Sequence, residues 1–262
     1  MKFRTIIIAI SLIGFSLPAQ AQNSRSKKER LNLFASVGYG IGVGSRYVGQ
    51  STTTNTSLTP GVVIEAKDHY YNIGSGIKLD GGAAIKLIDR LDAEIAAEYT
   101  AGIGSPEVEI RETVAGAIAS NVYSNSQVLL RVCIVPNFSF LDLIDIYIGV
   151  GLGPVLTFAS EEIKQAGVNT EIREFDNGVT IALLGKLGAY YPLNNFASLY
   201  AECGYEMMNV TQNGYTPRDT NGNKTGTKVE FAYDTYDQPN NIPVKTPGSN
   251  VTIRFGARIR IL

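Results

Sequence analysis

The chain has 262 residues with 23 basic and 24 acidic side chains, a net charge of −1, two cysteines, one histidine and no tryptophan. So even a balance favours neither nucleic acid nor an anionic surface as a partner. No stretch reaches the roughly 20 consecutive apolar residues of a membrane helix, which excludes a helical span.

The N-terminus reads as an export signal: Lys2 and Arg4, an apolar run from Ile6 to Leu17, then small residues at Ala19 and Ala21. Cleavage is expected after Ala21, and Gln22 in place of Cys closes the acylated-cysteine route. Removing residues 1–21 takes two basic residues and no acid, leaving 21 basic and 24 acidic, a net of −3. Residues 22–30, with Arg25, Lys27, Lys28 and Arg30, form an expected basic periplasmic leader. A single barrel domain is then predicted over residues 31–262.

From Leu31 onward apolar and polar residues alternate in eight segments, predicted as strands Leu31–Gly44, Ile73–Leu87, Leu91–Gly104, Gln127–Phe138, Ile144–Phe158, Val179–Tyr191, Ala197–Asn209 and Val251–Leu262. The last is the cleanest, with Val251, Ile253, Phe255, Ala257, Ile259 and Ile261 in one phase and Arg254, Arg258 and Arg260 in the other. A strand has period two, so these phases face opposite sides. The apolar phases contain no charge, and a central Arg or Lys on a lipid face would cost about 2–4 kcal/mol. Each segment is long enough, since about 9–11 tilted residues cross the hydrocarbon.

Connectors supply a second signal. Residues 88–90, 139–143 and 192–196 are short links, whereas 45–72, 105–126, 159–178 and 210–250 are long. That alternation predicts short periplasmic turns and long extracellular loops. Aromatic residues add a third: Tyr99, Phe158 and Tyr205 fall near the outer ends of lipid-facing phases, and Phe138, Tyr191 and Phe196 near the inner ends. The expected fold is all-β, an eight-stranded antiparallel transmembrane β-barrel. A soluble sandwich also alternates, but open sheet edges cannot exist in lipid and the apolar phase here is unbroken.

The inward phase carries Lys78, Lys86, Arg131, Lys186, Arg254, Arg258 and Arg260 against Asp80, Asp92, Glu94, Glu98, Asp145, Glu202 and Glu206. Eight strands enclose little more than their own side chains, so an interlocking salt-bridge network is expected. The last strand should close against the first and seventh, which makes Glu202 and Glu206 the expected partners of Arg254 and Arg258. Inward glycines at 38, 40, 42, 44, 149, 151 and 153 leave room for inward bulk such as Phe34, Tyr147, Tyr190 and Tyr200. Cys133 falls in the polar phase and Cys203 in the apolar phase, so a disulfide between them is not expected.

On these patterns the chain resembles small eight-stranded outer-membrane barrels, the OmpA/OmpX/OmpW-like superfamily and the broad outer-membrane β-barrel domain families, over residues 31–262. The resemblance rests on architecture. It implies residence in the bacterial outer membrane, outer-membrane lipid and the barrel-assembly machinery as partners, and an extracellular ligand or protein met through the loops. The C-terminus departs from the many members that end in Phe, finishing Ile259-Arg260-Ile261-Leu262. Some barrels of this kind process lipid with a His, a Ser and an acid; the one histidine, His69, lies in the first long connector beside Asp68, Tyr70 and Tyr71 and reads as a solvated loop residue. The expectation is a non-enzymatic structural or surface-interaction barrel without a cofactor, with a narrow solute channel and a lipid-modifying enzyme as alternatives.

One local pattern in the last connector has metal-ligand spacing. From Asp219, with Asn221, Asn223 and Glu230, oxygen-bearing residues alternate as in a calcium loop. Lys224 replaces the required glycine and no helices flank the segment, so a polar hairpin on the Asn221-Gly222 turn is the preferred reading and no metal is expected.

Overall fold

A computed structural model describes residues 31–44, 46–54, 63–102, 107–111, 118–140, 144–165, 168–230 and 244–261. The expected signal and basic leader, residues 1–30, lie outside the described residues, as does Leu262. The described strands are β1 (Leu31–Gly42), β2 (Arg46–Thr54), β3 (Val63–Tyr71), β4 (Gly76–Ile88), β5 (Leu91–Ala101), β6 (Glu107–Arg111), β7 (Ile118–Phe140), β8 (Ile144–Gln165), β9 (Val168–Asn177), β10 (Thr180–Pro192), β11 (Ala197–Met207), β12 (Asn209–Arg218), β13 (Val229–Glu230), β14 (Val244–Pro247) and β15 (Asn250–Ile261).

Eight of these close a cylinder in the order β1-β4-β5-β7-β8-β10-β11-β15, every pair antiparallel, with β15 hydrogen-bonded to both β11 and β1. At the seam Leu31 faces Ile261 and Gly42 faces Asn250, so no edge is left along β1. Closure satisfies every ladder group in a medium without water.

The two phases separate as the alternation predicts. Leu33, Val37, Ile95, Val150, Leu152 and Phe255 project outward with no protein over them; Ile95 is 63 % exposed and Val150 62 %. A water-soluble protein does not leave a continuous apolar belt of this kind uncovered, whereas lipid covers it without cost. Phe138, Tyr191 and Phe196 stand outward at the short-turn end and Phe158 and Tyr205 outward at the other. Cys203 is exposed on the outer face and Cys133 is buried inside, both as free thiols.

Short turns connect one end. Asp89 and Arg90 join β4 to β5. Residues 193–196 join β10 to β11, where Asn194 Oδ1 accepts the N–H groups of Phe196 (2.8 Å) and Ala197 (2.9 Å).

The other end differs from expectation. The connectors read as long loops are, over their described residues, largely strand. β2 and β3 pair as a hairpin in the first, β6 pairs with an upward extension of β7 in the second, and β9 pairs with an extension of β8 and with β12 beyond. β7 has 23 residues and β8 has 22, about twice what the bilayer needs. In Ser124-Asn125-Ser126 both faces carry polar side chains. Beyond the membrane no lipid enforces an apolar phase, so alternation vanishes while the ladder continues.

Candidate functional site: the barrel lumen

The inward residues fill the bore in layers. Nearest the short-turn end is an aromatic layer: Phe34, Tyr147, Tyr190 and Tyr200 pack with Ala84, Ala96, Cys133 and Val135. Tyr147 stacks on Tyr190 with centroids 4.4 Å apart, and Tyr190 meets Tyr200 edge-on at 5.9 Å.

Above it lies the charge layer. Lys78 Nζ donates to Glu98 and to Glu206, each at 2.6 Å, and Arg131 to Asp80 at 2.5 Å. Lys186 joins Glu94 and, at 3.2 Å, Glu202. Arg254 reaches Glu202 at 2.8 Å and makes closer pairs with Glu98 and Glu206. Tyr147 Oη donates to Glu202 at 2.9 Å, and Asn250 Nδ2 donates to Glu206 at 3.0 Å. Lys78 and Arg254 are each 1 % exposed. At this depth an unpaired ion would be very costly, so the carboxylates and cations must be read as one unit.

Toward the long-connection end the polar layer gives way to Leu129, Val155, Ala182, Leu184 and Met208, then to Ile73 and Val210 with Tyr123 against them. Leu129 stands opposite Val155 across the β7–β8 ladder. Gln127 Nε2 donates to Thr157 Oγ1 at 3.3 Å beside this group.

The arrangement departs from the predicted set in three ways. First, Arg258 pairs with Asp92 at 2.6 Å instead of Glu202 or Glu206, and lies over the Tyr190 ring at 4.8 Å. On the ladder Arg258 faces Ser198, with Glu202 four residues farther along β11, so the nearer acid comes across the bore from β5. Second, Lys86, Asp145 and Arg260 are outside the network. Lys86 bonds the turn residue Asp89 at 2.9 Å, and Asp145 and Arg260 are exposed at the mouth. Five basic and six acidic residues remain in the bore. Third, the inward glycines make room for charged stems as well as for aromatic rings. A Cβ on Gly149 would lie 2.6 Å from Lys186 Cγ, and one on Gly188 would collide with the Tyr147 ring. The apolar cap, Gln127, Asn250 and Thr100, whose hydroxyl accepts from Lys78 Nζ at 3.3 Å, lie outside the predicted set although they share the inward phase.

The remaining candidates lie outside the bore. Asp219 Oδ1 accepts the N–H groups of Asn221 (2.9 Å) and Asn223 (2.8 Å), and Oδ2 accepts Asn223 Nδ2 at 3.1 Å. Gly222 takes the left-handed conformation that closes the turn, with φ 83°. The Asn223 side-chain amide, with the backbone donors behind it, holds the Asp219 carboxyl below the usual aspartate range. Glu230 is in β13, opposite Gly214 and 3.5 Å from Lys228. Asp219 thus spends both oxygens on its own turn while Glu230 belongs to a ladder. His69 stands in β3 opposite Gly49, in a hairpin strand instead of an irregular loop; its surroundings lie outside the described residues.

No family model and no curated relative matches the chain. Among solved structures it is similar to a major outer-membrane protein of Thermus thermophilus, at 16 % identity and TM-score 0.51, covering 88 % of this chain and 99 % of that one. It is also similar to the outer-membrane protein OprG of Pseudomonas aeruginosa, at 11 % identity and TM-score 0.50, covering 90 % and 97 %. At such identities the likeness is one of fold. Closed wall, uncovered apolar belt and shared architecture agree: the chain is an eight-stranded β-barrel of the bacterial outer membrane.

Proposed function

We propose that this protein is a non-conducting, non-enzymatic barrel whose lumen is a plug and whose work is done by the sheet it raises above the membrane. The observation that carries the reading is the stacking of three filled layers across one bore: rings, paired ions, then aliphatic side chains. A hydrated ion would have to part the charge pairs and then cross an apolar layer.

The outer sheet supports the second half of the proposal. The 22 residues of β8 extend about 70 Å at roughly 3.3 Å per residue. Tilted by about 40°, they rise about 55 Å, against an apolar band of about 25 Å. Backbone ladders hold this extension, through β9 and β12 on one side and β6 on the other. A stiff sheet of that height suits contact with a molecule outside the cell, because little ordering entropy is lost on binding.

Planar-bilayer recording of the purified protein tests the plug, with no steady conductance expected. Steady single-channel steps that vanish when bulk is added at Gly149 would establish the channel reading instead. Incubation with purified outer-membrane lipid is expected to give no turnover; turnover lost in a folded His69→Ala variant would establish the enzyme.

A further inference from the structure

At the short-turn end the wall opens into a cup of about 260 Å³. Outer-membrane barrels turn this end to the periplasm. Its charged lining is Lys86, Arg90, Arg258 and Arg260 against Asp92 and Asp145. Two of the cations are committed, Arg258 to Asp92 and Lys86 to the rim residue Asp89. Among the described residues neither Arg90 nor Arg260 forms an ion pair. Among the described lining residues four cations therefore face two acids, whereas the bore above holds a slight excess of acid.

The backbone at Arg90 is a second, independent observation. Arg90 is the one non-glycine among the described residues with positive φ, at 70°. That left-handed region is sterically disfavoured for a side chain carrying Cβ and is ordinarily filled in a two-residue hairpin turn by Gly, Asn or Asp. The turn is held firmly, since the Arg90 carbonyl accepts the Asn137 N–H at 2.9 Å. An arginine at a position that disfavours it, lining a cationic cup, points to a role for its guanidinium there.

We infer that the cup binds a phosphate-class oxyanion. Arg90 and Arg260 supply free guanidinium forks, whose planar donors match two phosphate oxygens at once. Arg258 stands beside them, fixed by Asp92 and by the Tyr190 ring. The volume suits a phosphate monoester or the phosphodiester of a lipid headgroup and is too small for most drug-sized ligands. Both sources share this chemistry, and the cup opens at the end that such barrels turn to the periplasm. Asp145 opposes the binding, so affinity in the millimolar to high-micromolar range is expected.

The test titrates inorganic phosphate into the full chain folded in a maltoside detergent at low salt, followed by calorimetry, and repeats it in phosphatidylglycerol nanodiscs. One saturable site is expected in detergent, weakened at least tenfold in Arg260→Gln and in Arg90→Asn. Binding that persists in nanodiscs assigns free phosphate. Binding that disappears there, with lipid phosphorus broadened in the wild type and not in the variants, assigns the headgroup. Arg90→Asn also suits the left-handed turn, so its urea midpoint is expected to rise, which separates lost binding from lost folding. No saturable site in detergent, or variants that bind as the wild type does, would overturn the inference.

Discussion

Replacing Arg254 with methionine removes one cation from the middle of the bore and keeps most of its volume. The guanidinium touches Glu98, Glu202 and Glu206, and after its loss Lys78 still serves Glu98 and Glu206 while Lys186 still serves Glu202. The bore then holds four basic and six acidic groups. Breaking one buried ion pair costs about 3–5 kcal/mol because the abandoned charge stays desolvated. Two lysines remain to share the load, so the lower part of that range applies, about 3 kcal/mol. Equilibrium urea unfolding in lipid vesicles, followed by circular dichroism of the β-band, reads the change as a shifted midpoint at unchanged slope. Adding Glu206→Gln to Arg254→Met lowers the surplus of acid and should return at least about 1 kcal/mol, a coupling that a double-mutant cycle isolates. Loss of less than about 1 kcal/mol in the single variant, or no recovery in the double, would refute the idea that the ions act as one unit.

Three further outcomes are expected. Gly149→Val drives a branched side chain into the Lys186 stem and should cost about 1–3 kcal/mol by overpacking; Gly185→Ala, whose added Cβ meets nothing within 4 Å, should be close to neutral in the same unfolding assay. A nitroxide on Cys203 should collide more often with oxygen than with a water-soluble nickel chelate, placing it in lipid, and Cys133 should stay unlabelled until the protein unfolds. The lowered pKa of Asp219 means that its ionised form is favoured by the folded turn, so its contribution is complete above the usual aspartate value of 3.8 and is lost as pH falls through the depressed one. Amide resonances of Asn221 and Asn223 should therefore hold steady down to about pH 4 and shift only below it; a midpoint above 3.8 would contradict the hydrogen-bond assignment.

The barrel was legible because lipid imposes a rule on every second residue. Leu33, Val37 and Val150 obey it, and so do the inward Lys78 and Glu98. Where lipid ends, so does the rule. Ser124, Asn125 and Ser126 continue β7 with polar side chains on both faces, and nothing in their pattern separates strand from loop. Facing pairs across one ladder were readable too, since Arg254 does stand opposite Glu202. Pairs made across the bore were not: Arg258 with Asp92 and Arg131 with Asp80 depend on how far neighbouring strands are staggered, which no single strand records. The left-handed Arg90 also gave no signal, because arginine is an ordinary residue in a polar turn.

The span between Glu98 and Arg254 has a consequence for how the molecule is made. The two residues are 156 positions apart, and Arg254 comes on β15, the last of the described strands. A copy cut between β11 and β15 therefore holds Glu98, Glu202 and Glu206 without their shared cation, and it also lacks the ladder that seals β1. Neutralisation and sealing thus depend on the same strand, through contacts of long sequence reach. A copy without β15 is therefore expected to stay out of the bilayer, because it would carry both an open edge and a surplus of negative charge into oil.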